Sequence, residues 1–222
     1  MAVTDVEEYL RLPSPDTNSL CAERAEMGIN MIDSKETYRR YLKQDQVALG
    51  RKRDRRPRLF GDEIWKFEIL LRKVEYDINC RKGLARLLVG KYHKFRFHRL
   101  SVKLGFTIPP NVFQGGLSIP HYGTIVVHGN VRAGMNCRLQ EGVTIGATGG
   151  SHEAAVIGNH CYFGSGAKII GAVTIADDVA IGAGAVVTKD ITEPGTTWAG
   201  VPAKKISGQD SHGNLCKDIF TS

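Results

Sequence analysis

A period of six residues running through the second half of the chain constrains the fold more than any other feature. Counting by six from Val127 gives Val127, Ala133, Leu139, Ile145, Ser151, Ile157, Phe163, Ile169, Ile175, Ile181 and Val187, apolar at every step but Ser151. The positions two residues earlier, from Ile125, Val131, Cys137 and Val143 through Gly149 to Ala155, Cys161, Ala167, Val173, Val179 and Ala185, are small or β-branched throughout. Glycine follows the main apolar position at Gly134, Gly146, Gly158, Gly164 and Gly182. Helices repeat every 3.6 residues and strands every 2, so neither explains the pattern. A hexapeptide repeat means a stacked β-coil, in which each unit supplies one short strand and one turn, and three units close a triangular coil of about eighteen residues. Stacked coils align the aliphatic side chains in interior columns, while main-chain groups pair from coil to coil. Residues 106–206 have room for about five such coils.

One segment breaks the column without breaking the count. Ile145 and Ile157 stay twelve residues apart around Ser151, so ATGGSHEA at 147–154 reads as an extruded loop that leaves the stacking in phase. Such excursions from a solenoid carry binding sites.

Before the repeat the texture is helical. Residues 1–34 are polar, contain Pro13 and Pro15, and read as a loosely ordered extension. A helical segment follows over 35–105. Ser34 is a helix start and Gly50 a stop; Ile64, Phe67, Leu70, Leu71 and Val74 share one face of a second helix that Gly83 closes; a third covers about 84–104. His93 and His98 lie five apart, off the spacing of a ligand pair, and read as surface or packing residues. A short tail occupies 207–222.

Charge and cysteine content narrow the classes. The net charge is +7, much of it from RKRDRRPR at 51–58, where six of eight residues are basic. The run reads as a solvated helix end or loop, with contact to an anionic membrane surface or an acidic partner as the sharper alternatives. No nucleic-acid motif or aromatic interleaving accompanies it, so nucleic acid is not expected as a partner. The five cysteines form no CxxC pair, which argues against a disulfide framework or a zinc site, and no metal is expected. The N-terminus lacks a signal-peptide layout, and no stretch approaches the roughly 18 apolar residues of a membrane span. A reducing cytoplasm fits best.

The histidine in SIPHYGTIVV is the chemical anomaly. His121 lies six residues before Val127 and so falls on the apolar column. Spacing leaves two readings open, an interior histidine satisfied by main-chain partners or a catalytic base. His128 and His160 fall on repeat turns and read as exposed, and Cys137 and Cys161 occupy small-residue columns rather than reactive sites.

SIPHYGTIVV, EGVTIGATGG, the repeat VIGNHCYFGSGAKIIGAVTIADDVAIGAGAVV and the terminal AGVPAKKI together resemble the hexapeptide-repeat acyltransferases, in particular those like serine acetyltransferase, over about 105–206. The resemblance implies a mainly β fold, a left-handed parallel β-helix preceded by an α-helical N-terminal segment. It also implies homotrimers, which the N-terminal helices could join into a dimer of trimers, and acetyl-CoA as co-substrate in a groove between coils. By motif, His121 becomes the general base that deprotonates an acceptor hydroxyl. Glu141 is a candidate to orient it, and His152 on the extruded loop a substrate contact. Gly146–Ala147, Gly164–Ser165 and Gly182–Ala183 match cofactor-binding positions, with Lys204 and Lys205 as cations for the phosphates.

Three departures bear on the acceptor. Serine acetyltransferases carry an aspartate at the entry to the coils, where this chain reads FTIPPNVF; an aspartate before the histidine, where it has Pro120; and an arginine before the loop histidine, where it has Ser151. A carboxylate without a cationic partner binds poorly. These substitutions favour an acetyl-CoA-dependent O-acetyltransferase acting on a sugar or glycan hydroxyl, like those of polysaccharide gene sets. The alternatives are a serine O-acetyltransferase of cysteine synthesis with an altered pocket, and a non-enzymatic trimeric scaffold.

Overall fold

The computed structural model describes residues 31–54 and 56–221. Most of the extension expected over 1–34 lies outside them, but Ile32 is buried and its carbonyl accepts a hydrogen bond from Asn79 Nδ2 (2.9 Å). Helix α1 (Lys35–Ala48) is capped as expected, Ser34 Oγ accepting from Thr37 N at 3.1 Å. Helix α2 (Glu63–Asn79) ends earlier than the sequence suggested. Gly83, expected to close it, instead opens α3 (Gly83–Leu104), with φ of 63°. Left-handed Gly105 then stops α3. The described residues of the basic run are a loop, with Arg51 and Arg58 paired with Asp62.

The rest is a left-handed parallel β-helix with three faces. The first face stacks β1 (Phe106–Thr107), β2 (Ile125–Val127), β5 (Thr144–Gly146), β8 (Lys168–Ile170) and β11 (Val186–Val187). The second stacks β3 (Arg132–Ala133), β6 (Val156–Ile157) and β9 (Thr174–Ile175). The third stacks β4 (Arg138–Leu139), β7 (Tyr162–Phe163), β10 (Ala180–Ile181) and β12 (Thr197–Ala199), and ends on β13 (Lys204–Ser207), which runs antiparallel to β12. The expected columns are the core: Ile125, Leu139, Ile145, Phe163, Ile169 and Ile181 are all 0% exposed. Each such side chain contributes roughly 1.5–3 kcal/mol by leaving water.

Pairing explains the loop. Val127 faces Ile145 eighteen residues on, but Ile145 faces Ile169, twenty-four residues on. The third coil, which begins at β5, therefore carries one whole extra hexapeptide, and Gly149 and Ser151 occupy no column; both are exposed.

Helices cap the first coil, which has no coil above it. Phe67 of α2 stacks on Phe97 of α3 (5.1 Å between centroids) and meets Phe106 of β1 edge-on (5.2 Å). Buried polar side chains do the hydrogen bonding that a preceding coil would otherwise do. Arg72 donates to the carbonyls of Phe113 (2.8 Å) and Gln114 (2.7 Å), Asp45 Oδ1 accepts from Gly116 N (2.7 Å) and Leu117 N (3.0 Å), and Glu68 Oε1 accepts from Ile119 N (3.2 Å).

Candidate active site at the corner between the third and first faces

The segment so anchored delivers His121. Ser118 pairs with Arg138, so Ile119, fully buried, takes the column position above Leu139. Eight residues rather than six then separate Ile119 from Val127, and the surplus is spent at the corner. His121 therefore does not occupy the apolar column, contrary to the reading from spacing: it is exposed, as is Tyr122, whose hydroxyl hydrogen-bonds Glu63 Oε2 at 3.2 Å. An interior, packing histidine is excluded.

The same corner recurs in each coil. Gly142 N donates to Thr124 O (2.8 Å), Gly166 N to Glu141 O (2.8 Å) and Gly184 N to Ser165 O (2.8 Å), so the 121–124 turn, Glu141, Ser165 and Ala183 form one stack. Gly123, at φ of 141°, lies against Glu141: a Cβ there would come within 2.7 Å of the Glu141 Cβ. The Ser165 hydroxyl and the main-chain N–H of Glu141 hold the Glu141 carboxyl below the usual range, and the nearby charge of His121 adds to this. Glu141 Oε2 is out of contact with solvent and has no hydrogen-bond partner among the described residues. An ionised carboxylate with a spare acceptor beside an exposed imidazole suits a base held in one orientation.

The other expected residues divide between places. Gly164–Ser165 and Gly182–Ala183 lie on this corner, whereas Gly146–Ala147 lies at the opposite edge of the first face, where the loop departs. Gly164 admits the next coil rather than a ligand, since a Cβ would meet Ala183 N at 2.6 Å; at Gly182 it would meet Ala199 Cβ at 3.0 Å. Ser165 and Ala183 are left as the corner positions open to a ligand. Lys204 and Lys205 are exposed on β13, with Lys205 ion-paired to Glu193. His152 is exposed on the loop, its carbonyl accepting from Asn130 Nδ2 at 2.7 Å. Beside the loop, Thr148, Ser151, Glu153, Lys189 and Asp190 line a groove of about 660 Å³. His128 is half-buried and accepts from Asn130 N (3.2 Å). Cys137 and Cys161 are buried, and the Cys161 thiol, hydrogen-bonded to Cys137 and desolvated, is pushed well up, which leaves it inert. Sequence reasoning missed the role of Ser165 toward Glu141, whose signal is the register that puts them on adjacent coils of one corner.

Comparison with known proteins is consistent with this geometry. The family described as bacterial transferase hexapeptide (six repeats) matches residues 154–189. A serine acetyltransferase of Helicobacter pylori (strain J99 / ATCC 700824) is 36% identical over 135 residues, covering 56% of this chain and 78% of that protein. The crystal structure of a serine acetyltransferase from Brucella abortus strain S19 superposes with a TM-score of 0.60 at 23% identity, over 82% of this chain and 73% of that one. A serine acetyltransferase in complex with CoA superposes with a TM-score of 0.57 at 20% identity, over 78% and 71% of the two chains.

Proposed function

The chain belongs to the serine acetyltransferase family, and we propose that it carries acetyl from acetyl-CoA to the hydroxyl of L-serine with His121 as general base. As a member of that family it is an acetyl-CoA-dependent acyltransferase. The single observation that carries the assignment of the base is the eight-residue spacing that ejects His121 from the core onto a corner shared with Glu141. The imidazole takes the hydroxyl proton as the oxygen attacks the thioester carbonyl; the tetrahedral intermediate collapses, the C–S bond breaks, and the CoA thiolate recovers the proton from the imidazolium. Glu141, on the adjacent coil of the same corner, holds the ring.

His121 and the loop bearing His152 lie at opposite edges of the first face, separated by roughly 15 Å of extended chain. One chain does not close the site, which supports a homotrimer in which the loop of one copy meets the corner of the next. The exposed Leu84, Leu88, Tyr92 and Phe95 of α3 offer a further surface for assembly.

The acceptor reading departs from the sugar expected from the pocket substitutions, because the relative matched across 78% of its length is named a serine acetyltransferase. Ser151 still lacks the positive charge that would meet an amino-acid carboxylate, and Lys189, lining the same groove, supplies one. A sugar hydroxyl remains the second reading, favoured by Pro120 and Ser151. The test is CoA thiol release from acetyl-CoA with L-serine and, separately, with sugars and nucleotide sugars. Turnover with L-serine that falls about 10²–10⁴-fold in His121→Ala is the expected result. Turnover confined to carbohydrates would assign the second reading, and undiminished turnover in His121→Ala would remove the base.

A further inference from the structure

The tail brings together three side chains far apart in sequence. Beyond β13 the chain turns back along the corner between the second and third faces. There Thr197 Oγ1 donates to Gln209 O (2.7 Å), Ser211 N to Asp178 O (3.1 Å), the Ser211 hydroxyl to His160 O, and Leu215 is buried. His160 and Asp178 stand on this corner in consecutive coils, Asp178 N donating to Asn159 O at 2.9 Å. His212 reaches them from a 3₁₀ turn of the tail (His212–Asn214). Asp178 Oδ1 lies 3.1 Å from His160 Nδ1 and 2.8 Å from His212 Nε2, and the three ligand atoms all fall within 4.8 Å of one another. The Phe220 ring covers both imidazoles, its centroid 4.3 Å from that of His212 and 5.6 Å from that of His160.

We propose that His160, Asp178 and His212 bind a divalent transition-metal ion of the zinc class, which pins the C-terminal strap to the β-helix. Two imidazoles and a carboxylate are ligands that such an ion prefers. In a tetrahedral site with bonds of about 2.0–2.1 Å, ligand atoms sit about 3.3 Å apart, so the two spacings from Asp178 Oδ1 need to open by only a few tenths of an ångström, and the two imidazole nitrogens already lie within 4.8 Å of each other. The second nitrogen of His212, Nδ1, faces Asp210 Oδ2 at 3.6 Å, an arrangement in which an outer carboxylate orients a metal-bound histidine. All three side chains are half-exposed, which gives the ion a path in and leaves its fourth position to water. As a plain hydrogen-bonded clasp, each ring donates an N–H to the same carboxylate oxygen; a metal ion takes the lone pairs of those two nitrogens, each neutral ring then carrying its proton on its other nitrogen. The His121 corner joins the third face to the first and this one joins the second to the third, so the two sites occupy different corners and the metal site is independent of the acetyl-transfer reading.

The test uses untagged full-length protein, stripped with EDTA and titrated calorimetrically with Zn²⁺. One ion should bind per chain with micromolar or tighter affinity, raise the melting temperature, and slow carboxypeptidase digestion of the tail. Co²⁺ should give the visible absorption of a tetrahedral site. His212→Ala leaves the coils untouched, and His160→Asn keeps a residue that tolerates the left-handed turn, as Asn136 does at the same corner (φ of 57°). Each should weaken binding by more than the roughly 10–100-fold that loss of an outer-shell partner costs. Absence of stoichiometric Zn²⁺ uptake, or uptake by both variants with the affinity of the unsubstituted protein, would overturn the proposal and leave a hydrogen-bonded clasp.

Discussion

Arg72→Met should destabilise the protein more than any surface substitution, although methionine nearly fills the same space. The guanidinium is 0% exposed. It donates to Asp45 at 2.7 and 3.2 Å, to Glu75 at 2.9 Å and to the carbonyls of Phe113 and Gln114, and stacks 4.9 Å from the centre of the Tyr41 ring. Methionine restores packing but leaves two buried carboxylates without their cation, a loss of about 3–5 kcal/mol. Against a total stability of about 5–15 kcal/mol that is a large share. At about 2–4 °C per kcal/mol for a chain of this size, the melting temperature should fall by roughly 6–20 °C. Lysine should rescue little, since one ammonium with three donors cannot serve the five acceptor atoms that the guanidinium fork reaches. The penalty should shrink toward acid pH, where Glu75, whose carboxyl burial already raises above its ordinary range, can take up a proton and tolerate burial. Urea unfolding and thermal melts at pH 5 and pH 8 provide the assay. A loss below about 1 kcal/mol at pH 8, the range of an exposed ion pair, would refute the account of how the helices terminate the β-helix.

Two other outcomes follow from the same packing. Burial, with repulsion from Asp45, raises the Glu68 carboxyl well above its ordinary range despite the opposing pull of Arg72. The folded state therefore keeps a proton that the unfolded state has released, and this group's contribution to stability falls as pH rises from the ordinary carboxyl range toward the raised value. Glu68→Gln should raise the melting temperature, and by more at pH 8 than at pH 5; an equal gain at both would count against a retained proton. Gly164→Ala forces a Cβ to 2.6 Å from Ala183 N and should cost about 1–3 kcal/mol, whereas Gly208→Ala, with no atom within 4 Å, should be neutral in the same urea titration.

What could be read from sequence follows from what repeats. The interior columns were legible because burial selects the same residue type every six positions, and Ser34 and Gly50 mark the ends of α1 by local chemistry. His121 was placed on the wrong side of the wall because period counting assumes six residues per side, and only pairing reveals eight after Ile119. The loop concealed its own length for a related reason: an insertion of six leaves every later residue in phase. Glu68, Arg72 and Glu75 share the buried face of α2 with Leu71 and Val74, a placement that charge alone would assign to solvent. The cluster at His160, Asp178 and His212 spans separations of 18 and 34 residues, set by coil length and by the path of the tail, and no local spacing announces it.

The reversal of direction at β13 bears on what the molecule does not become. A coil of parallel strands has open ends, and the last rung offers a row of main-chain donors and acceptors to any similar rung, the geometry from which fibres grow. Here the final strand of the third face is antiparallel and carries Lys204 and Lys205, both exposed, at its rim. Another copy arriving end-on would meet charge and the wrong polarity, while α1 and α2 close the other end. The stack is finite by construction, and a chain with so regular an interior stays discrete instead of polymerising.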